Sequence, residues 1–428
     1  MPSLENPFIP ESKIPKRSLV ELFKNKGNNT NDEIDVAVKK AENLSDTRIK
    51  ERARPFEWQG HMLDNTDEAI IKKIIELTGS EEIAKNNVWI DESQITRIGL
   101  FHQFGDDQLI EIMPLIAESQ ITKFRLGDNT IGSKGWQAVV ENITKTKVTD
   151  LHVSKSNLHA EGLEVIAKML PSTQIKELWV KDNELDADDM TILMEYISKS
   201  NVTELHLGNN VIGDKGVAIV AEILPQTNIN SIILINNNIS GGGVISVSEQ
   251  LSKTKLEAID FAENNIGSLG FKSLAKNLKG SKLKSLRFTD TNMTNRDLIN
   301  FVKHIPESQL VQLLLWGNKI SDKGAIALAR QLPFSEIIEV TLNNNQVGDE
   351  GIIAIAEQLT NSKLLSLQMD NNKVTDKGAK VLAEHIYNSR IQYVSLSHNL
   401  LTDVGKQILE DVAKRRKEEG RPMIALHV

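Results

Sequence analysis

The sequence predicts an α/β solenoid: a right-handed coil of 27-residue strand–turn–helix units, with a parallel sheet on the concave face and helices on the convex face. Three observations predict it. The first is self-similarity at a fixed period. The stretch Val202-Thr-Glu-Leu205-His-Leu207-Gly-Asn-Asn210-Val-Ile212 has counterparts opening at Ile229, Leu256, Leu283, Leu310, Ile337, Leu364 and Ile391. Toward the N-terminus the same pattern opens at Ile175, Val148 and Ile121, each start 27 residues from the next. A weaker copy begins at Ile95, one residue out of step. The second observation is a change of apolar period inside each unit. The Leu-x-Leu core alternates with period two, as a short strand does. The second half, as in Gly324-Ala-Ile-Ala-Leu328-Ala-Arg-Gln-Leu332, has helical spacing and reads as an amphipathic helix capped by Ser321 or Asp322.

The third observation is a pair of ladders. Asn129, Asn183, Asn210, Asn237, Asn264, Asn318, Asn345, Asn372 and Asn399 occupy one equivalent position just after the strand. An amide carries both donor and acceptor, so it satisfies turn backbone groups that neither strand nor helix uses. Ser156 and Thr291 stand in for it in two units. Gly135, Gly162, Gly216, Gly243, Gly270, Gly324, Gly351, Gly378 and Gly405 open the helices, where a β-carbon is expected to strike the neighbouring coil. Both ladders read as structural. Asn236-Asn-Asn238 and Gly241-Gly-Gly243 read as turn chemistry rather than a phosphate cradle.

This pattern resembles the ribonuclease-inhibitor-type leucine-rich-repeat family, whose units are a strand plus a full helix. The resemblance covers roughly 95–415. It implies the fold and leaves the partner open, since such repeats occur in ligand-recognition regions of nucleotide-sensing receptors, in GTPase-activating proteins, and in effectors that intracellular bacteria inject into host cells. The family mixes repeat lengths; the constant 27 here points to uniform curvature.

The totals exclude several classes. Net charge is −8 and no long basic run precedes the C-terminal tail, so nucleic acid is not an expected partner. The absence of cysteine removes disulfides, thiolate metal sites and cysteine nucleophiles, and suits a reducing compartment. No apolar run approaches the ~20 residues of a membrane span, and the N-terminus lacks the basic start and apolar core of a secretory signal. The expected location is cytoplasmic, or a host cell's cytosol for an injected effector. No paired carboxylates, nucleophile–base set, phosphate loop or metal spacing stands out, so neither catalysis nor a cofactor is expected.

The ends depart from the repeat. Residues 1–94 are expected to be a mainly helical N-terminal cap or small module. Pro2, Pro7, Pro10 and Pro15 mark an irregular start, Asn31–Lys50 reads as a polar helix, and the run from Thr66 reads as a capped amphipathic helix. Val88-Trp89-Ile90 reads as a short strand. Residues 95–415 are the solenoid, and 416–428 a C-terminal tail or cap. There Met423–Val428 either adds a last strand to the open sheet edge or belongs to a charged transport signal.

Function is expected on the concave face. The residue between the two leucines runs Arg125, His152, Trp179, His206, Ile233, Asp260, Arg287, Leu314, and the residue two further on includes Ile235 and Trp316. Trp179 and Trp316, with Ile233, Ile235 and Leu314 between them, are expected as exposed hot spots among polar neighbours. His152 and His206 stand two coils apart, about 10 Å by strand spacing, too far to share a metal. Asp260 and Arg287 are adjacent and expected to form an exposed ion pair. The columns turn polar at Asn343, Asn344, Asp370 and Asn371, where the footprint fades.

The chain is therefore expected to be a non-catalytic protein-binding module, monomeric by itself, its partner unknown. GTPase activation is the alternative, weakened because the long acidic tail of such proteins is missing. A bacterial repeat-type ubiquitin ligase requires a cysteine this chain lacks.

Overall fold

Each leucine pair becomes a short strand and each glycine-led segment a helix. The computed structural model describes residues 65–91, 94–102, 104–156, 158 and 160–428, all within one unit spanning Trp58–Val428. The expected proline-marked start and the polar helix at Asn31–Lys50 lie outside them.

The strands are β1 Val88–Asp91, β2 Gln94–Phe101, β3 Lys123–Gly127, β4 Asp150–Ser154, β5 Glu177–Trp179, β6 Glu204–His206 and β7 Ser231–Ile233. They continue as β8 Ala258–Asp260, β9 Ser285–Arg287, β10 Gln312–Leu314, β11 Glu339–Thr341, β12 Ser366–Gln368, β13 Tyr393–Ser395 and β14 Ala425–His427. The helices are α1 Asn65–Thr78, α2 Glu81–Asn87, α3 Asp106–Glu118, α4 Ser133–Ile143, α5 Ala160–Met169, α6 Ala187–Ile197 and α7 Gly213–Ile223. They continue as α8 Gly241–Gln250, α9 Gly267–Lys276, α10 Asn295–Val302, α11 Asp322–Ala329, α12 Asp349–Ala356, α13 Asp376–Ile386 and α14 Asp403–Glu418.

The strands form one 14-stranded sheet in sequence order. Only β1, against β2, is antiparallel; the remaining pairs are parallel. Leu178, Leu205, Ile232, Ile259, Leu286 and Leu313 pair in register and point into a continuous core closed by the helices. The degraded copy at Ile95 stays in the sheet because β2 pairs with β3 at an offset of 26 (Arg97 opposite Lys123). The α/β solenoid expected from the sequence is the fold observed.

The asparagine ladder joins coils as well as closing turns. Asn345 Oδ1 accepts from the Ile320 N–H at 3.0 Å, and its Nδ2 donates to the Leu315 and Leu342 carbonyls at 2.9 and 3.1 Å. Asn264, Asn318 and Asn372 make the same set of bonds across coils. The residue before each rung is left-handed: Asp128 (φ 53°), Asn209 (55°), Asn236 (48°), Gly317 (68°) and Asn344 (53°). Asn, Asp and Gly tolerate that region best, which explains the Asn-Asn and Asp-Asn pairs in the motif.

A second cross-coil ladder sits at the helix starts, and it corrects the expected cap. Ser321 occupies the N-cap position of α11 but its side chain makes no capping bond. The Asp322 carboxylate instead accepts from Gly348 and Gly351 N–H of the next coil, at 2.7 and 2.9 Å. Asn295 does the same for Ser321 and Gly324, and Asp349 for Thr375 and Gly378. The acid therefore caps its neighbour's helix. This is one reason glycine recurs there: a Cβ on Gly351 would stand 2.8 Å from Asp322 Oδ1. The glycine reading holds only in part, because the obstacle varies. At Gly351 the Val347 side chain of the same coil is closer still, at 2.5 Å, and at Gly216 and Gly270 the nearest atom is the Cγ2 of Ile212 and Ile266, four residues before in the same coil.

Both described ends are covered. Thr66 lies in α1, whose Ile70 and Ile74 join the core, while Asp67 Oδ2 accepts from Ile95 N–H at 2.7 Å. At the other end β14 continues the sheet beside β13. Arg416 folds inward, 1% exposed, and its Nη1 donates to the Ile386 and Ile391 carbonyls, both at 3.1 Å. The Ile386 carbonyl also accepts from Ser389 N–H and Oγ–H, so the guanidinium adds to that cluster and supplies a donor to the Ile391 carbonyl.

Candidate binding face

Period-two alternation puts three rows of side chains on the sheet face turned away from the helices. The first runs Arg97, Lys123, Asp150, Glu177, Glu204, Ser231. The second is the expected column Arg125, His152, Trp179, His206, Ile233, Asp260, Arg287, Leu314. Ile235 and Trp316 follow two residues later, in the third.

Trp179 requires a correction. It stands on this face as expected, yet it is buried, 7% exposed. His152 stacks on one side of the indole (centroids 4.5 Å apart, planes 9° apart) and His206 on the other (3.5 Å, 8°). The equivalent position in adjacent coils holds three flat rings, and a spacing near 4.8 Å lets them stack. Both histidines are buried as well. Burial, with the charge of Lys181, lowers the His206 pKa to about 3. His152 is held well below its ordinary value by burial and by Arg125.

The run of carboxylates within the first row, Asp150, Glu177 and Glu204, was not singled out from the sequence, although the residue preceding the first leucine has to share this face. Asp150 pairs with Lys123 and accepts from Thr149 Oγ1 at 2.6 Å. Burial, with Asp150 and Glu204 on either side, pushes the Glu177 carboxyl up to about 7. Phe101 was missed too. A Cβ on Gly99 or Gly127 would strike its ring at 2.3 or 2.8 Å, so the ring lies across both glycines. Its coil is a residue short, which drops it from a strict 27-residue column.

These groups set a pH response. Below about 6.5 the unfolded chain protonates His152 and His206 while the folded chain does not, so stability falls as pH falls. Glu177 acts in the opposite sense. Between about 4.5 and 7 the folded chain keeps a proton that the unfolded chain has lost, so its contribution falls as pH rises. Glu177→Gln removes that opposing term. Its unfolding free energy should therefore fall more steeply than wild type between pH 6.5 and 5, by on the order of 1 kcal/mol per pH unit. Parallel profiles from urea titrations would show that Glu177 is ionised in the fold.

Farther along, Ile233, Ile235, Leu314 and Trp316 are half-buried. Between them Arg287 Nε lies 3.5 Å from Asp260 Oδ2, and Asp260 Oδ1 accepts from Ala262 N–H at 2.9 Å. The pair is largely buried, its side chains 25% and 13% exposed, and not the exposed pair expected. Beyond β10 the polar groups bond one another. Gln312 donates to Glu339 at 2.7 Å, and Asp370 accepts from Ser397 N–H at 2.8 Å and from Ser395 Oγ. Among the described residues no group of three or more His, Asp or Glu side chains is placed to hold a metal ion. No described helix is long and apolar enough to cross a membrane.

A family model described as "Leucine Rich repeat" matches residues 198–218, 310–329, 338–356 and 360–383. No curated protein matches the chain. Among solved structures it is similar to one of the Rad7 and Elc1 complex from yeast: 15% identity, 91% of this chain and 96% of that one, TM-score 0.45. It is also similar to an internalin from Listeria monocytogenes: 14% identity, 80% and 93% coverage, TM-score 0.42. Similarity at that level says nothing of a partner. The repeated motif, the single sheet it builds and the family match agree: the coils of this solenoid are leucine-rich repeats.

Proposed function

We propose that the protein is a non-catalytic recognition module that holds a protein partner against the open face of its sheet. The observation that supports this most is the strip over β7–β10. Ile233, Ile235, Leu314 and Trp316 flank the Asp260–Arg287 pair there, with apolar surface left half-exposed around a desolvated charge pair. Buried anchors beside shielded charges are how protein interfaces concentrate their binding energy. The rungs from β11 onward spend their polar groups on each other and offer less to a partner.

In this reading residues 95–415 carry the recognition surface, and 1–94 and 416–428 serve as its ends. The Lys-, Asn- and Ile-rich wording of the repeats, together with the resemblance to injected effectors, supports a host protein met in a host cytosol as the partner.

The test is affinity capture from a cytosolic extract with wild type beside an I233A/L314A/W316A variant. Those three side chains are half-buried, and circular dichroism should confirm the fold. Recovery of the bound protein should drop at least tenfold in the variant. Equal recovery would move the site off this face.

A further inference from the structure

Buried polar atoms without hydrogen-bond partners gather on three adjacent strands of the open face. Trp179 Nε1 on β5, His206 Nε2 on β6 and Ser231 Oγ on β7 make no hydrogen bond. Their side chains are 7%, 5% and 4% exposed. Strand register sets Glu177 opposite Glu204 and Glu204 opposite Ser231, one strand spacing apart on the same face. Native proteins leave few such atoms unsatisfied, and a group of them beside half-exposed carboxylates marks a place where an incoming group completes the bonding.

We infer that Glu177, Glu204, Ser231 and His206 form a subsite for an arginine side chain carried on an extended segment of the protein partner. This rests on the reading that the open face binds a protein. The carboxylates supply the charge. A guanidinium presents five N–H donors in a rigid fork, which suits two carboxylates about 4.8 Å apart better than the point charge of lysine does. The same fork supplies donors to Ser231 Oγ and to the unprotonated nitrogen of His206. Trp179 Nε1–H needs an acceptor, which a backbone carbonyl of an extended segment provides. The indole cannot receive the cation on its faces, because His152 and His206 cover both. An anion is disfavoured at these carboxylates: Lys123 of the same row is engaged with Asp150, and Lys181 and Arg125, whose charges reach His206 and His152, stand in the neighbouring rows. A cation would also favour ionisation of Glu177, which burial and its acidic neighbours oppose in its absence.

The experiment uses the full chain labelled with nitrogen-15 and N-acetyl-L-argininamide as probe, following the Trp179 indole N–H assigned through W179F. Saturable shifts are expected, with a dissociation constant of order millimolar for so small a probe. N-acetyl-citrullinamide, which has the shape without the charge, should leave the resonance in place. E177Q/E204Q should weaken binding at least tenfold and E204Q alone at least threefold, with the backbone amide spectrum otherwise unchanged. Equal shifts from citrulline, unaltered binding by the double variant, or a response to N-acetyl-glutamate amide instead would overturn the assignment. Full partner capture by E177Q/E204Q, alongside loss by I233A/L314A/W316A, would remove the arginine subsite and leave the binding face standing. Capture unaffected by either variant would remove both.

Discussion

Asn210→Ala is expected to destabilise the protein by about 3 kcal/mol or more, as should the same change at Asn264, which makes the equivalent bonds. Asn210 Oδ1 accepts from the Asn183 and Leu185 N–H groups at 2.9 and 3.1 Å, and Nδ2 donates to Val180 and Leu207 at 3.1 and 2.7 Å. Alanine leaves the Asn183 and Leu185 N–H groups and the Val180 carbonyl without the amide, while the Leu207 carbonyl keeps its bond from Asn237 Nδ2; each orphan costs about 1–3 kcal/mol. Because they belong partly to the preceding coil, hydrogen exchange should accelerate at Asn183 and Leu185 as well as locally. Urea unfolding measures the total; a loss under about 1 kcal/mol would mean the rung is dispensable. The converse is also expected. Thr291 Oγ1 lies 2.9 Å from the Phe288 carbonyl of its own coil and 3.3 Å from Asn318 Oδ1 of the next, and its single proton serves one acceptor at a time. An asparagine there would add the backward bonds its equivalents make, so Thr291→Asn should gain about 1 kcal/mol.

The second large effect is Trp179→Ala, expected to cost about 3 kcal/mol, within the range for truncating a buried aromatic side chain. It would separate His152 from His206 and leave a gap where stacked rings now touch. Trp316→Ala, at a half-buried site on the same face, should cost under about 1 kcal/mol. Trp179→Phe should recover most of the loss, because a flat ring still fits between the imidazoles. Equal midpoints for the two alanine variants would show that the stack contributes nothing beyond ordinary surface. The comparison also bears on function, since a loss of binding in a Trp179 variant would mix lost contact with lost stability.

The repeat was legible because its signals are local. Leu205 and Leu207 alternate with period two, Leu328 and Leu332 recur at helical spacing, and Asn210 has a counterpart at fixed distance on each side. Each is a property of one coil, set by backbone geometry and by which side must be dry. The rows of the open face followed from the same alternation, so Arg125, His152, Trp179, His206, Ile233, Ile235, Asp260, Arg287, Leu314 and Trp316 all stand where the column reading put them. The first row follows from the same alternation, but Glu177 and Glu204 carry no local signal of a site, since a lone carboxylate at a face position reads as ordinary solvated surface until its neighbours 27 residues away are placed beside it.

By itself the sequence determined the coil, its period, the inward leucines and the face each remaining side chain takes. Only the tertiary structure decided what those side chains touch. Trp179 is covered because its neighbours 27 residues away on either side are flat rings, and stacking depends on the lateral fit of three coils rather than on any residue's polarity. Asp322 caps α12 instead of its own helix because neighbouring helix starts lie close enough for its carboxylate to reach across. Phe101 joins the face because β2 pairs at an offset of 26 and two glycines make room for its ring. Periodicity fixes direction within a chain segment, while burial, pKa and hydrogen-bond partners arise between segments, from distances that no single coil contains.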